Sequence, residues 1–388
     1  MRILFLNSEY GPALEYFYQH HGDLEGKRYR EHKEFLAGEI CNIADFYAAH
    51  VLASGHTAES VIMNDEYLQG LWAQERGKAF RSFSPPHLAR RSLFLRQLIS
   101  RFPKPYYAAK NLFDRRSRSW QILLAQIEEF RPDILHIMDL HLCSPRFLRQ
   151  ARTYARKVVG QISSPLFLPK EHLKFFDLLI SSYPHYVEEF QGMGISSAYL
   201  QHAFEKGMVE KVGKRERRYP CVFVGGIGKG SMHQEARDLF EELARVSPIE
   251  FWGNIEGLSD SSPIFQKYHG NVWGKDMYEV LAQSKIVVNR HIREIAKNYA
   301  NNMRLYEATG MGAMLITDKK DNLGDIFDIG KEVETYSSVP ELIEKIAYYT
   351  THDEERANIA AAGQRRTLRD HTYGRRAQQL LQIYQSLL

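Results

Sequence analysis

Pro220-Cys-Val-Phe-Val-Gly-Gly-Ile-Gly-Lys-Gly-Ser231 is a short apolar run that breaks into a glycine turn. Four β-favouring residues followed at once by glycines read as a buried strand feeding a tight loop, with a helix expected at about 232–245. The segment just before it, Glu205–Tyr219, is rich in charge and poor in apolar residues. The chain therefore restarts at Cys221 as a second first strand. This restart divides the sequence into residues 1–201, a linker at 202–219, a second domain at 220–370 and a terminal helix at 371–388. At 388 residues the chain is too long for one ordinary core and suits two of about 150–200 residues each.

Outward from that point, short apolar runs alternate with helical periods. Strand candidates in the first half are Ile3–Leu6, Thr57–Met63, Ile134–Met138, Val158–Ile162, Leu178–Ser181 and Ala198–Leu200. In the second half they are Cys221–Val224, Ile249–Trp252, Ile286–Asn289 and Ala313–Thr317. Between them, Leu36, Ile40, Ile43, Tyr47 and Val51 share one helical face, and so do Tyr373, Ala377, Leu380, Leu381 and Tyr384 near the end. Strands alternating with helices predict α/β units with parallel sheets covered on both faces.

Composition narrows the function. Hydrophobic residues make up 44% and charged residues 25%, the balance of a globular chain. Cys41, Cys143 and Cys221 have no paired spacing, which argues against a disulfide framework and a structural zinc site and for a reducing compartment. The opening Met-Arg-Ile-Leu-Phe-Leu-Asn7 is too short for a signal sequence, and no run reaches the roughly 18 apolar residues of a membrane span. The expected location is cytoplasmic. The net charge of +4 conceals a basic stretch from Arg81 to Arg118, with Asp114 its one acid and Leu, Phe and Tyr interleaved. It reads either as a solvated helical face or as a surface for peripheral contact with an anionic membrane or acidic acceptor. No nucleic-acid module accompanies it.

Three loops of the second half carry candidate chemistry. In the first, Gly225 and Gly226 let backbone amides approach a phosphate, and Lys229 adds a charge; the spacing fits neither a dinucleotide fingerprint nor a P-loop, and a plain tight turn is the alternative. The second is Asn301-Asn302-Met303-Arg304-Leu-Tyr-Glu307, where either asparagine can cap a helix. Arg304 at that N-terminus, beside Met303, suits a diphosphate, and Glu307 one turn on suits two ribose hydroxyls. An intrahelical Arg–Glu ion pair is the plain alternative. The third, His269–Lys275, offers Trp273, or Tyr278 beyond it, as a cover for a nucleobase.

The run from Ile286–Asn289 through Asn302-Met-Arg-Leu-Tyr-Glu-Ala-Thr-Gly-Met-Gly-Ala-Met-Leu-Ile-Thr-Asp318 resembles the donor segment of GT-B glycosyltransferases, most nearly the CgeB-like, spore-maturation-type branch of group 1. The resemblance implies two Rossmann-like domains whose parallel sheets face a cleft, with a terminal helix crossing back onto the first domain. It implies a nucleotide-diphosphate sugar as donor substrate, no further cofactor and no metal, and a glycan, lipid-linked or protein acceptor. Residue by residue, Glu307 takes the ribose, Arg304 the diphosphate, and Gly225 and Gly226 the turn after the first donor strand. Retaining relatives carry a second glutamate eight positions earlier, where this chain has Tyr299. Asp139 and His141, in Asp133-Ile-Leu-His-Ile-Met-Asp-Leu-His141, resemble the strand end of glycogen-synthase-like enzymes that lies near the transferred sugar. Glu9, after the first strand, is a further base candidate, and His136, inside its strand, reads as a core histidine. A same-fold epimerase or phosphorylase, and an inactive nucleotide-sugar-binding scaffold, are the competing readings.

Overall fold

The computed structural model describes residues 1–21, 24, 26–78, 118–228, 233–292 and 297–388. Lys229 and the basic stretch of 81–118, apart from Arg118, lie outside the described residues. The chain divides into two units, Met1–Gln201 with Arg376–Leu388, and His202–Arg375. No described helix is long and apolar enough to cross a membrane.

In chain order the first unit contains β1 (Arg2–Asn7), α1 (Gly11–His20), α2 (Tyr29–Ile40), α3 (Ile43–Ala53), β2 (Thr57–Ile62), α4 (Glu66–Glu75), α5 (Arg118–Phe130), β3 (Ile134–Ile137), α6 (Pro145–Ala151), β4 (Lys157–Ile162), α7 (Lys170–Leu173), β5 (Leu178–Ser181), α8 (Pro184–Gly192) and β6 (Ser197–Tyr199). All six strands are parallel, in the order β2-β1-β3-β4-β5-β6. Both faces are covered, which is why β1 and β3 are apolar at successive positions instead of alternating. Leu4, Leu135, Val158 and Leu179 face a core completed by Ile127, Phe147 and Phe190. On the other face Phe5 stacks on Tyr47 at 5.9 Å. Each such side chain, fully buried, contributes roughly 1.5–3 kcal/mol.

The helical face expected from Leu36 to Val51 is broken into two helices. Cys41 adopts a left-handed backbone at φ 61°, and the Asn42 side chain accepts the Ala44 amide at 2.7 Å, starting α3 anew. Asparagine at that position competes with helix continuation by bonding its own backbone.

The second unit follows with α9 (Gly207–Val212), β7 (Tyr219–Val224), α10 (Arg237–Val246), β8 (Ile249–Trp252), α11 (Gly274–Ala282), β9 (Ser284–Asn289), α12 (Met303–Gly310), β10 (Met314–Asp318), α13 (Leu323–Ile326), β11 (Glu334–Tyr336), α14 (Val339–Thr351), α15 (Asp353–Asp370) and α16 (Tyr373–Leu387). Its five strands are again parallel, ordered β11-β10-β9-β7-β8. Phe223, Phe251, Ile286 and Ile316 pack with Phe240 of α10 and Leu342 of α14. The expected helix at about 232–245 is α10, and its first turns begin at Arg237.

Residues 202–219 are built into this unit. Phe204 is fully buried and its ring fills the space where a side chain on Gly310 would stand, 2.5 Å from an ideal Cβ. Arg217 donates to four backbone carbonyls: Leu281 and Ser284 at 3.1 and 2.9 Å, and Met311 and Gly312 at 2.9 and 2.7 Å. The charge that reads as solvated in the sequence ties α11 to the turn after α12. At the chain's end, the stripe of α16 is buried as its spacing predicts, and its Arg376–Leu388 part belongs to the first unit.

Candidate functional site

Strand order locates the places where ligands bind. In the second unit β8 lies on one side of β7 and β9 on the other, so successive connections leave in opposite directions. The carboxyl ends of β7 and β9 therefore flank a crevice no connection fills, the switch point of a doubly wound sheet. In the first unit β1 and β3 stand in the same relation.

At the β7 end, α12 brings the most specific sequence motif into place. Asn302 caps the helix, its Oδ1 accepting the Arg304 amide at 2.8 Å, and Asn301 before it is buried. Arg304 Nη2 donates to the Val224 carbonyl, the last of β7, at 3.3 Å, and both guanidinium ends meet the Met277 sulfur. Arg304 Nη1 stands 2.8 Å from Glu307 Oε2, with the side chains 13% and 6% exposed. The ion pair read as the plain alternative is thus formed, and it is buried. Burial pushes the Glu307 carboxyl up, and Arg304 pulls it back. Taking both charges out of water costs several kcal/mol per ion before the pair offsets it. Met303 is half-buried at the start of the helix.

The other sequence candidates have mixed surroundings. The amides of Gly225, Ile227 and Gly228 donate to the carbonyls of Trp252 and Asn254 at 2.8–2.9 Å, while the Gly226 carbonyl accepts from His233. Gly228 is there because the loop after β8 presses on it: a Cβ would stand 2.5 Å from the Glu256 nitrogen, while one on Gly225 would stand 2.8 Å from the Phe223 ring. Of the two glycines read as opening the way to a phosphate, Gly225 therefore has its amide engaged, as do Ile227 and Gly228 beyond them. Trp273 is half-buried and precedes α11, whose Met277 touches Arg304. Tyr278 is buried against Phe204 and serves packing.

At the same sheet end stands a further cluster, of which sequence reasoning named Arg290 as a possible diphosphate partner and passed over His291, Asp318 and Lys320. Asp318 closes β10 and accepts from His291, at 2.9 Å from its amide and 2.7 Å from its Nδ1, with Lys320 Nζ 3.1 Å away. Burial pushes Asp318 up, but the His291 and Lys320 contacts outweigh it and hold the carboxyl at about 2. Arg290 pairs with Glu235 at 3.0 Å, its side chain 11% exposed. Burial, reinforced by Arg290, lowers the nearby His233 to about 4. The usable signal was that His291 and Lys320 each stand two residues past the end of a strand; their meeting depends on β9 and β10 being neighbours.

At the first unit's switch point, Ser8 donates to Asp139 Oδ2 at 2.6 Å, joining the loops after β1 and β3. Asp139 Oδ1 accepts the His141 amide at 3.1 Å and lies 3.6 Å from its Nδ1. The Phe167 amide donates to His141 Nε2 at 3.2 Å. That bond puts the imidazole proton on Nδ1, toward Asp139, and engages the Nε2 lone pair. Burial raises Asp139, yet the His141 and Ser8 contacts bring it below the usual carboxylate range. Glu9, half-buried in the loop after β1, behaves oppositely. Burial and the charge of Asp45 push it to about 8, against a hydrogen bond from Asn42. His136 is a core residue, fully buried, bonded through Nδ1 to the Tyr384 hydroxyl and lowered by burial to about 3.

Comparison with known proteins agrees with this architecture. Residues 231–382 match the model of the family described as Glycosyl transferase-like. Solved structures similar over the whole chain include Anabaena Alr3699/HepE in complex with UDP-glucose, at 13% identity and TM-score 0.57 with 100% of each chain covered. A glycosyltransferase from Rickettsia africae ESF-5 aligns at 11% identity and TM-score 0.57, covering 100% of this chain and 98% of that one. Sucrose-phosphate synthase from Thermosynechococcus elongatus aligns at 10% and 0.55, covering 100% and 99%. No curated protein matches the chain. The two parallel sheets have the GT-B architecture, and residues 231–382, within the second unit and the terminal helix, match the glycosyl transferase-like family.

Proposed function

We propose that the chain moves a sugar from a nucleotide-diphosphate donor to an acceptor hydroxyl, and that the donor binds at the β7–β9 switch point of the second unit. One observation carries the reading: a buried Arg–Glu pair on the first turn of α12, with the arginine reaching the last carbonyl of β7. A bound diphosphate replaces Glu307 as the partner of Arg304, and two ribose hydroxyls replace Arg304 as the partners of Glu307. Each group thereby keeps a polar contact while the ligand is held. Arg290 and Lys320 add positive charge at the same sheet end. The helix N-terminus and these cations meet the charge that grows on the leaving nucleoside diphosphate, so the transfer runs without a divalent metal. Trp273 covers the base, and Gly225 and Gly226 shape the floor beside the phosphates. The motif's resemblance supports the CgeB-like branch and a glycan, lipid-linked or protein acceptor. The 81–118 stretch supplies peripheral membrane contact for a cytoplasmic protein.

Since the Anabaena structure is a complex with UDP-glucose, UDP-sugars are the first donors to try. In a thermal-shift screen of sugar nucleotides, a true donor at a hundredfold over its Kd stabilises the fold by about 2.7 kcal/mol. Glu307→Ala should weaken that ligand by about tenfold or more, at least roughly 1.4 kcal/mol. Unchanged affinity in the variant refutes the site, and no response to any sugar nucleotide refutes the reading.

A further inference from the structure

The cluster at the carboxyl ends of β7, β9 and β10, all within the second unit, has polar groups that its own members do not satisfy. Arg290 is mostly buried, yet its Nη2 donates at 3.0 Å to the carboxylate of Glu235, whose side chain is 42% exposed. A buried guanidinium is thus met by a carboxylate reaching in from the solvent side. Its other nitrogen, Nη1, is buried with no hydrogen-bond partner among the described residues. The guanidinium fork fits both oxygens of a carboxylate at once, and Glu235 fills one half of it. A buried N–H left unmade is a cost that a ligand can recover.

His291, 1% exposed, adds a second demand. Its Nδ1 and its amide both point at Asp318 Oδ1, while Lys320 Nζ takes Asp318 Oδ2. Asp318 is held as a carboxylate and therefore only accepts. In the neutral imidazole the ring proton then sits on Nδ1, and Nε2 keeps its lone pair. That Nε2 is buried with no partner among the described residues, and so is Nδ1 of His233, which lies in the fields of Arg290 and His291. The cluster consequently asks for an anionic oxygen at Arg290 and an O–H at His291. A doubly esterified diphosphate offers anionic oxygens and no O–H. A sugar offers O–H groups, and a sugar that carries a carboxylate offers both.

We propose that the donor's sugar is a uronic acid, its carboxylate taking the place of Glu235 on Arg290 and one of its hydroxyls donating to His291 Nε2; this rests on the donor-site reading above. In that reading Glu307 takes the ribose and Arg304 the diphosphate, so the sugar is the part of the donor still to be recognised. The cluster lies at the end of the same sheet, on the loops that follow β7, β9 and β10. Exchanging one carboxylate for another keeps the charge balance around Arg290, and Glu235 is exposed enough to turn out into water. The incoming carboxylate then uses Nη1 and Nη2 together. A neutral hexose brings no anion, leaves Glu235 where it is and gains nothing from Arg290.

Calorimetric titration of the full chain with matched ligands tests this: UDP, UDP-glucose and UDP-glucuronate, then GDP, GDP-mannose and GDP-mannuronate. For the nucleotide that binds, the uronate should bind about tenfold or more tighter than its neutral partner. Arg290→Met should erase that preference, and Arg290→Lys, a point charge without the fork, should keep only part of it. Glu235→Gln removes the internal competitor and should widen the preference by about threefold or more. This last variant changes a half-exposed side chain and decides the matter even if Arg290→Met does not fold. A uronate that binds no tighter than the neutral sugar overturns the proposal. So does a Glu235→Gln variant that tightens both sugars equally, or an Arg290→Met variant that weakens nucleotide, neutral sugar and uronate by one factor, since Arg290 would then serve the phosphates. In those cases binding that is still lost in Glu307→Ala leaves the donor-site reading standing. If none of these ligands binds, the donor-site reading falls and this inference with it.

Discussion

The two sheets share a strand pattern and differ in charge where it matters. Each has its first strand flanked by its second and third, and each places loops at the resulting switch point. In the first unit those loops and the helix starts beside them hold Glu9, Asp45, Asp65 and Asp139. In the second they hold three ion pairs, Arg290–Glu235, Arg304–Glu307 and Lys320–Asp318, with His233 and His291 beside them. One architecture thus offers an end where carboxyls gather and an end where three cations are each held by a carboxylate that an anionic ligand could replace. Fold gave both units a place for a ligand; side chains at strand ends gave each a different chemistry.

Removing the central cation of the basic end should have the largest effect. Arg304→Ala leaves Glu307 buried and unpaired, a change that costs about 3–5 kcal/mol in comparable cases. Chemical denaturation should show that loss, and nucleotide binding should vanish with it. A variant of wild-type stability would mean that the pair is not the organising contact of α12.

The pH dependence of stability should sharpen the contrast, because the two ends respond with opposite sign. Glu9 titrates at about 8 in the fold against an ordinary 4.5. Its contribution is therefore complete below about 4.5 and is lost as pH rises through about 8. Asp318 sits at about 2 against an ordinary 3.8, so its contribution is present above about 3.8 and is lost as pH falls through about 2. Denaturation across pH should show Glu9→Gln flattening the alkaline decline and, as a smaller effect, Asp318→Asn flattening the acid one. If either variant moves the other limb, the assignment of charge to the two ends is wrong.

Much of this was legible in sequence, for stated physical reasons. Runs such as Cys221–Val224 and Ile286–Val288 are strands because both faces of a parallel sheet are covered, which makes successive positions apolar. The Asn302 cap was readable because asparagine there answers a helix's unpaired amides. Four things were hidden. The break at Cys41–Asn42 falls inside an unbroken apolar period, so periodicity reads through it. Arg217 looks like linker charge because its four carbonyl partners come from remote segments. The His291–Asp318–Lys320 cluster needs strand order, which no local pattern encodes. The three-residue β11 is too short to carry a period.

A crystal structure of the full chain with its bound sugar nucleotide tests the central claim most directly. The account places the diphosphate against Arg304, with Arg290 and Lys320 near it, and the ribose hydroxyls on Glu307, the Arg304–Glu307 contact having opened to admit them. A nucleotide bound elsewhere, with that ion pair still closed, would contradict it.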